Sequence, residues 1–186
     1  RRVLFRSDAQ WADLNADGRV ELVIAGEMMP VKVFSYKGKD FEDKTADYFL
    51  QEETGFWNAL KILDLDSDGK LDIIAGNLGL NSQIKASAKE PAELYFADFD
   101  KNGSIDPFFN FYVQGKSYPF VSRDELNDQI YPMRKKFSFY RDYANATMTD
   151  VIPAAELAKA GKLQAQELRS VCFMNRNGRF EKIAMP

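Results

Sequence analysis

Asp64-Leu65-Asp66-Ser67-Asp68-Gly69-Lys70-Leu71-Asp72 reads D-x-D-x-D-G-x-x-D, and the pattern occurs three times in the chain. Asp13-Leu14-Asn15-Ala16-Asp17-Gly18-Arg19-Val20-Glu21 reads D-x-N-x-D-G-x-x-E, and Asp98-Phe99-Asp100-Lys101-Asn102-Gly103-Ser104-Ile105-Asp106 reads D-x-D-x-N-G-x-x-D. The needs of a hard divalent cation account for this spacing. Calcium takes about six to eight oxygens at ~2.3–2.6 Å, from carboxylates, amide oxygens and backbone carbonyls. Side chains at the first, third and fifth places of a tight loop converge on one point, and glycine at the sixth place permits the bend. The carbonyl of the seventh residue (Arg19, Lys70 or Ser104) then faces the ion, and the acid at the ninth (Glu21, Asp72 or Asp106) closes the site. The expected metal ligands are therefore Asp13, Asn15, Asp17, Arg19 and Glu21 in loop one; Asp64, Asp66, Asp68, Lys70 and Asp72 in loop two; and Asp98, Asp100, Asn102, Ser104 and Asp106 in loop three. Loop two carries four carboxylates and is expected to bind most tightly. The competing reading is an Asx-rich turn that holds no ion; it suits one loop better than three.

An EF-hand shares this opening but needs a bidentate Glu at the twelfth place and a helix on either side. Here the twelfth residues are Ile24, Ala75 and Phe109, and the flanks read as strands. Leu60–Leu63 enters loop two and Leu71–Ala75 leaves it; Ala92–Phe96 enters loop three and Pro107–Tyr112 leaves it. Short runs of β-branched and aromatic residues bounded by turn residues are a strand signature. Each loop is thus expected at the tip of a β-hairpin. Val31–Tyr36, Phe41–Lys44, and the hairpin Arg169–Met174, Asn175-Arg176-Asn177-Gly178, Arg179–Ile183 add further strands.

A D-x-D-x-D-G-x-x-D loop, an apolar strand ending in Ala-Gly, an alternating strand and a glycine turn together resemble the FG-GAP/VCBS repeat family, which includes the calcium-bearing blades of integrin α-subunit propellers. The resemblance covers roughly Trp11–Val121 and Arg169–Pro186, and Asn77-Leu78-Gly79-Leu80-Asn81-Ser82 is similar to bacterial surface members. Asn15, Glu21 and Asn102 stand where the family usually has Asp. The resemblance implies an all-β repeat fold: a β-propeller fragment of about three blades, with calcium-loop hairpins and a helical insert.

Four segments follow from this reading. Residues 1–7, Arg-Arg-Val-Leu-Phe-Arg-Ser, have no strand or turn logic and resemble the translation of a sequencing-library adapter. They are expected to pack against nothing, in a fragment of metagenomic origin whose biological sequence starts near Asp8. Residues 8–121 are the propeller blades, 122–168 a helical insert, and 169–186 the last hairpin of a blade. Within the insert, Ser122-Arg123-Asp124-Glu125 is a capping box, Met133–Thr147 reads as a helix after Pro132, and Pro153–Ala160 reads as another stopped by Gly161. Phe137, Tyr140 and Tyr143 fall on one face of the middle helix, as packing residues.

Composition narrows the function. The chain has 186 residues, a net charge of −3, no His and one Cys. Without His, the commonest general base and most zinc sites are absent; Cys172 lies in an apolar run and reads as a small core residue. No stretch is apolar enough to span a bilayer, and the longest basic run, Arg134-Lys135-Lys136, reads as a solvated helix face rather than a nucleic-acid surface. The expected function is a non-catalytic, calcium-binding module of an extracellular or cell-envelope protein, for adhesion or protein–protein interaction. The alternative is a carbohydrate-binding or polysaccharide-degrading propeller, for which Trp11 and Trp57 are the candidate platforms, although tryptophans beside strands more often serve packing.

Overall fold

The structure, a computed structural model, describes residues 7–185. In chain order the strands are β1 (Ser7–Ala12), β2 (Glu21–Met29), β3 (Lys32–Tyr36) and β4 (Phe41–Asp43), then a one-turn helix α1 (Thr45–Tyr48), then β5 (Gly55–Phe56), β6 (Ala59–Leu63) and β7 (Asp72–Gly76). They continue with β8 (Ala92–Ala97), β9 (Asp106–Val113) and β10 (Lys116–Pro119). The short helices α2 (Arg123–Gln129), α3 (Met133–Lys136), α4 (Tyr140–Tyr143), α5 (Met148–Val151) and α6 (Ala154–Leu157) follow, and β11 (Gly161–Ala165), β12 (Val171–Arg176) and β13 (Arg179–Ala184) close the chain. Of residues 1–7, only Ser7 lies among the described residues. It is paired with Gly26 in β1, and the expectation that residues 1–6 pack against nothing lies outside the described residues.

The chain divides into two compact units, Arg1–Gln83 with Ala165–Pro186, and Ile84–Gln164. In the first unit, one sheet runs β1-β2-β3-β4, with β5 added to the far end of β2 across a bulge where Met28 takes a positive φ. The other runs β6-β7-β12-β13, also antiparallel throughout. Apolar residues of the two sheets, Val23, Ala25 and Val33 from one and Leu60, Ile73, Ala75, Val171, Phe173 and Phe180 from the other, fill a single core with Trp57 at its centre. Removing side chains of this size from water stabilises by about 1.5–3 kcal/mol each. Side chains of β1 also substitute for a missing strand partner. Asp8 accepts from the Leu60 N–H at 2.8 Å, while Gln10 donates to the Leu60 carbonyl at 2.8 Å and accepts from the Ile62 N–H at 3.1 Å.

The second unit carries the sheet β10-β9-β8-β11. Phe108 of β9 packs into a core made mainly by the helices: Leu126, Ile130, Phe137, Met148, Val151, Ile152 and Leu157.

Three expectations are corrected here. The closing hairpin does not finish the sheet of loop three. Val171, Cys172 and Phe173 pair with Ala75, Ile74 and Ile73, so β12 and β13 complete the sheet of loop two, and everything between β7 and β12, loop three included, is an excursion from that sheet. The helical insert is not purely helical, because 161–165 is a strand paired with β8. Gly161 is required there by packing as well as by helix termination: a Cβ would sit 2.3 Å from the Phe96 ring. Nor is Met133–Thr147 one helix. Phe137 leaves helical geometry (φ −115°, ψ 63°), the Ser138 hydroxyl donates to the Arg134 and Lys135 carbonyls, and the Phe139 N–H donates to Asp142, which starts a new turn. Such local side-chain bonds compete with the helix ladder. As a result Phe137 and Tyr143 pack together while Tyr140 stays exposed, its hydroxyl donating to Asp124 and its ring against Arg123. The capping box at Ser122 and Glu125 forms as expected.

The neck of the excursion is clasped. The Asn77 amide donates to the carbonyls of Glu167 (2.9 Å) and Arg169 (3.1 Å), and the Gly79 N–H donates to the Leu168 carbonyl at 2.7 Å. The nearly buried Glu167 carboxylate takes two bonds from the Arg169 guanidinium (2.9 and 2.8 Å) and one from the Arg169 N–H (3.0 Å). The Arg169 bond is the main cause that holds this carboxyl at about 2, against opposing burial. A carboxyl depressed in the fold stabilises above its unfolded value of 4.5, and the contribution is lost as pH falls through about 2. Glu167→Gln should therefore cost roughly 2 kcal/mol at pH 7, charged hydrogen bonds being worth about 1.5–3 kcal/mol. Urea denaturation should show the wild-type advantage shrinking from below pH 4.5 towards nil near pH 2.

Candidate metal centres

The three loops share one backbone solution. Ala12 pairs with Glu21, Leu63 with Asp72, and Ala97 with Asp106, so each loop closes an antiparallel hairpin and is followed by a strand. The fourth residue of each is left-handed (Ala16 φ 59°, Ser67 61°, Lys101 61°), and so is the glycine at the sixth (84°, 84° and 89°). No atom lies within 4 Å of where a Cβ would sit on Gly18, Gly69 or Gly103, so the glycines serve the conformation and not a close contact.

Carboxylates hold this shape. The first Asp of each loop accepts from the N–H groups of the fifth and sixth residues: Asp13 from Asp17 (3.1 Å) and Gly18 (2.8 Å), Asp64 from Asp68 (3.2 Å) and Gly69 (2.9 Å), Asp98 from Asn102 (2.9 Å) and Gly103 (2.9 Å). The fifth residue accepts from the seventh N–H: Asp17 from Arg19, Asp68 from Lys70, Asn102 from Ser104. The ninth acid reaches back to the second N–H, as Glu21 to Leu14 (3.0 Å), Asp72 to Leu65 (2.9 Å) and Asp106 to Phe99 (3.0 Å).

These ninth acids are buried. Burial pushes the Glu21 and Asp106 carboxyls above the usual range, and the other loop acids add to it. Such a group favours a bound cation, which would remove the cost of keeping its charge out of water. Carboxylate oxygens lie within 4.8 Å of one another for Asp64, Asp66 and Asp68 in loop two, and for Asp98, Asp100 and Asp106 in loop three. Loop one has Asn15 in the third place. Its amide oxygen accepts from the Asp17 N–H and its NH₂ donates to the Asp17 carboxylate at 3.2 Å. The donor set is all oxygen, which suits a hard cation such as calcium.

Loops one and two lie side by side, joined by a residue that sequence reasoning took only for part of a turn. The buried Asn175 of β12 donates its amide to the Leu14 carbonyl (3.2 Å) and the Leu71 carbonyl (3.4 Å), and its N–H to Asp72 (2.8 Å). Asn177 and Gly178, both at positive φ, make the tight turn that follows. Arg176 donates to Asp66 at 2.8 Å and draws that carboxyl below its ordinary value. Loop three lies in the other unit.

The remaining candidates separate cleanly. Trp57 is fully buried and packs edge-on to Phe173, so it offers no platform for a sugar. Trp11 is 53% exposed and stands beside Phe41 (51%) and Tyr36 (54%), with centroid spacings of 6.1 Å for Trp11–Phe41 and 5.4 Å for Tyr36–Phe41. Cys172 is half-buried on the opposite side of β12 from the core residues Val171 and Phe173, and burial raises its thiol.

Residues 13–75 match the model of the FG-GAP-like repeat. The match runs from the first acid of loop one into the strand that leaves loop two. No curated protein and no solved structure matches the chain.

The third and ninth places should behave differently under mutation even without metal. Both Asp72 oxygens accept N–H bonds inside the fold, whereas Asp66 is bonded to an exposed arginine. In chelator, Asp72→Ala should cost about 2–4 kcal/mol, since the buried Asn175 N–H and the partly buried Leu65 N–H lose their acceptor. Asp66→Ala should leave the denaturation curve close to that of the wild type, because its partner is an exposed arginine. Equal losses in paired denaturation curves would refute this division of labour.

Proposed function

We propose that this chain, with its FG-GAP repeat over residues 13–75, is a calcium-stabilised, β-propeller-like module that serves protein–protein interaction at the cell surface or envelope and carries no catalysis of its own. The observation that carries the reading is the threefold recurrence of one loop, with the same left-handed residues and the same carboxylate bonding, each time between two strands. An acidic turn with no ligand has no physical reason to repeat that arrangement. Two further features support a propeller-like form: each sheet of the first unit has a four-strand antiparallel path, β1-β2-β3-β4 and β6-β7-β12-β13, whose first hairpin bears the loop, and apolar residues of the two sheets share one core.

Asp13, Asn15, Asp17 and Glu21, with the Arg19 carbonyl, would hold one ion. The corresponding residues of the other two loops, with the carbonyls of Lys70 and Ser104, would hold two more. A bound ion supplies positive charge where the loop concentrates negative charge; the chain's residues do the rest, fixing the loop ends and excluding water from the ninth acid. All donors come from one loop, which suits a structural role. Calcium affinities of extracellular modules run at about 10⁻⁴–10⁻³ M, in keeping with an external location.

A second reading, carbohydrate binding, is favoured by one observation: Trp11, Tyr36 and Phe41 form an exposed aromatic cluster on β1, β3 and β4. Affinity electrophoresis against soluble polysaccharides separates it from the first. Retardation lost in Trp11→Ala supports glycan binding, and mobility unchanged on every polysaccharide removes it.

The calcium reading is tested by melting. At free calcium ten times Kd, each site stabilises by about 1.4 kcal/mol, so three sites give ~4 kcal/mol, a large share of a typical ~5–15 kcal/mol. Excess EDTA should lower Tm markedly, calcium should restore it, and magnesium should restore it poorly because it demands a tighter octahedron. A Tm indifferent to EDTA would leave these loops as ordinary turns.

A further inference from the structure

We propose that Arg176 is a built-in competitor for the cation of loop two, so that this loop binds calcium more weakly than its four carboxylates alone would dictate. The inference rests on the calcium reading above and concerns how one of those sites is tuned.

Arg176 is delivered to the loop by structure. The residue before it, Asn175, is buried and bonded to Asp72 and to the carbonyls of Leu14 and Leu71. The two residues after it form the tight turn closed by the Gly178 N–H donating to the Asn175 side chain at 2.9 Å. The backbone at Arg176 is thus held on both sides, and its guanidinium lies 2.8 Å from Asp66, a residue 110 positions away in sequence. Lys70 adds a second cation, 3.4 Å from Asp68 and 3.4 Å from the Asn177 side chain. Among the described residues, no lysine or arginine makes an ion pair with the carboxylates of loops one and three. Loop two, the most acidic by sequence, is the loop that carries its own counter-charges.

The magnitude follows from electrostatics. A guanidinium and a divalent ion that share one carboxylate stand roughly 6 Å apart, where their repulsion even at the dielectric of water is worth about a tenfold change in affinity. The exposed Arg176–Asp66 pair contributes little to folding, so its removal should be felt in binding more than in stability. The effect should also fall with ionic strength, because exposed charges are screened.

The test is calcium titration by calorimetry on the full chain, with Asp66→Ala identifying the component that belongs to loop two. Arg176→Gln should tighten that component roughly tenfold at 0.1 M salt, with the difference shrinking at 1 M. Arg176→Lys, which keeps the charge, should stay near wild type. Circular dichroism in chelator checks that the variants fold, and Arg176→Met, which keeps the apolar stem, replaces the Gln variant if that one does not. Unchanged or weaker binding in the neutral variants overturns the proposal, a weakening meaning that Arg176 orients Asp66 for the ion. Absence of any Asp66-dependent calcium binding, in wild type and variants alike, overturns the loop-two calcium reading itself and this inference with it.

Discussion

The structure depends on carboxylates that accept backbone N–H groups inside nine-residue loops. In each loop the first Asp takes two N–H bonds and the ninth acid takes one from the opposite side, so the chain reverses direction with its polar groups satisfied. These bonds let Ala16, Ser67 and Lys101 occupy a left-handed conformation that costs a non-glycine residue about 1–2 kcal/mol. In loops two and three the same constraint brings three acids together, Asp64, Asp66 and Asp68 in one and Asp98, Asp100 and Asp106 in the other, and in all three loops the ninth acid is buried. A loop built this way supports its own backbone shape while it concentrates carboxylates, and that is the chemical feature the three hairpins share.

The loops also organise what lies around them. Asn175 joins loops one and two through their carbonyls, so the tip of the closing hairpin sits against both. Asp72 is part of the loop and of that contact at once, accepting from Leu65 and from Asn175. Rigidity at this end of the first unit therefore passes through one buried amide and one buried carboxylate. At the other end of β7, Asn77 and Glu167 clasp the two crossings of the excursion. A sheet interrupted between its second and third strands remains a sheet because its neck is closed by charge-assisted and amide hydrogen bonds.

The local grammar of the chain was legible in the residues. The hairpin at each D-x-[DN]-x-[DN]-G loop, the strand β3, the capping box at Ser122 and the Asn177-Gly178 turn each follow from interactions within about ten residues, and the structure has them. The exclusion of an EF-hand, made on Ile24, Ala75 and Phe109, agrees with the strands that follow the loops. The middle helix was misread because its apolar spacing was helical while Ser138 and Asp142 offered the backbone competing bonds. Periodicity alone does not weigh that competition.

What the sequence by itself determined is the loop: its carboxylate and amide side chains, its glycine and the strands on either side, all set by sterics and hydrogen bonding along a short stretch of chain. Only the tertiary structure decided which hairpins share a sheet, that Trp57 is core while Trp11 is surface, and that Arg176 rests on Asp66. The sheet pairing and the Arg176 contact join residues about a hundred positions apart. Such contacts arise when packing brings complementary faces together, and no local propensity or spacing encodes them.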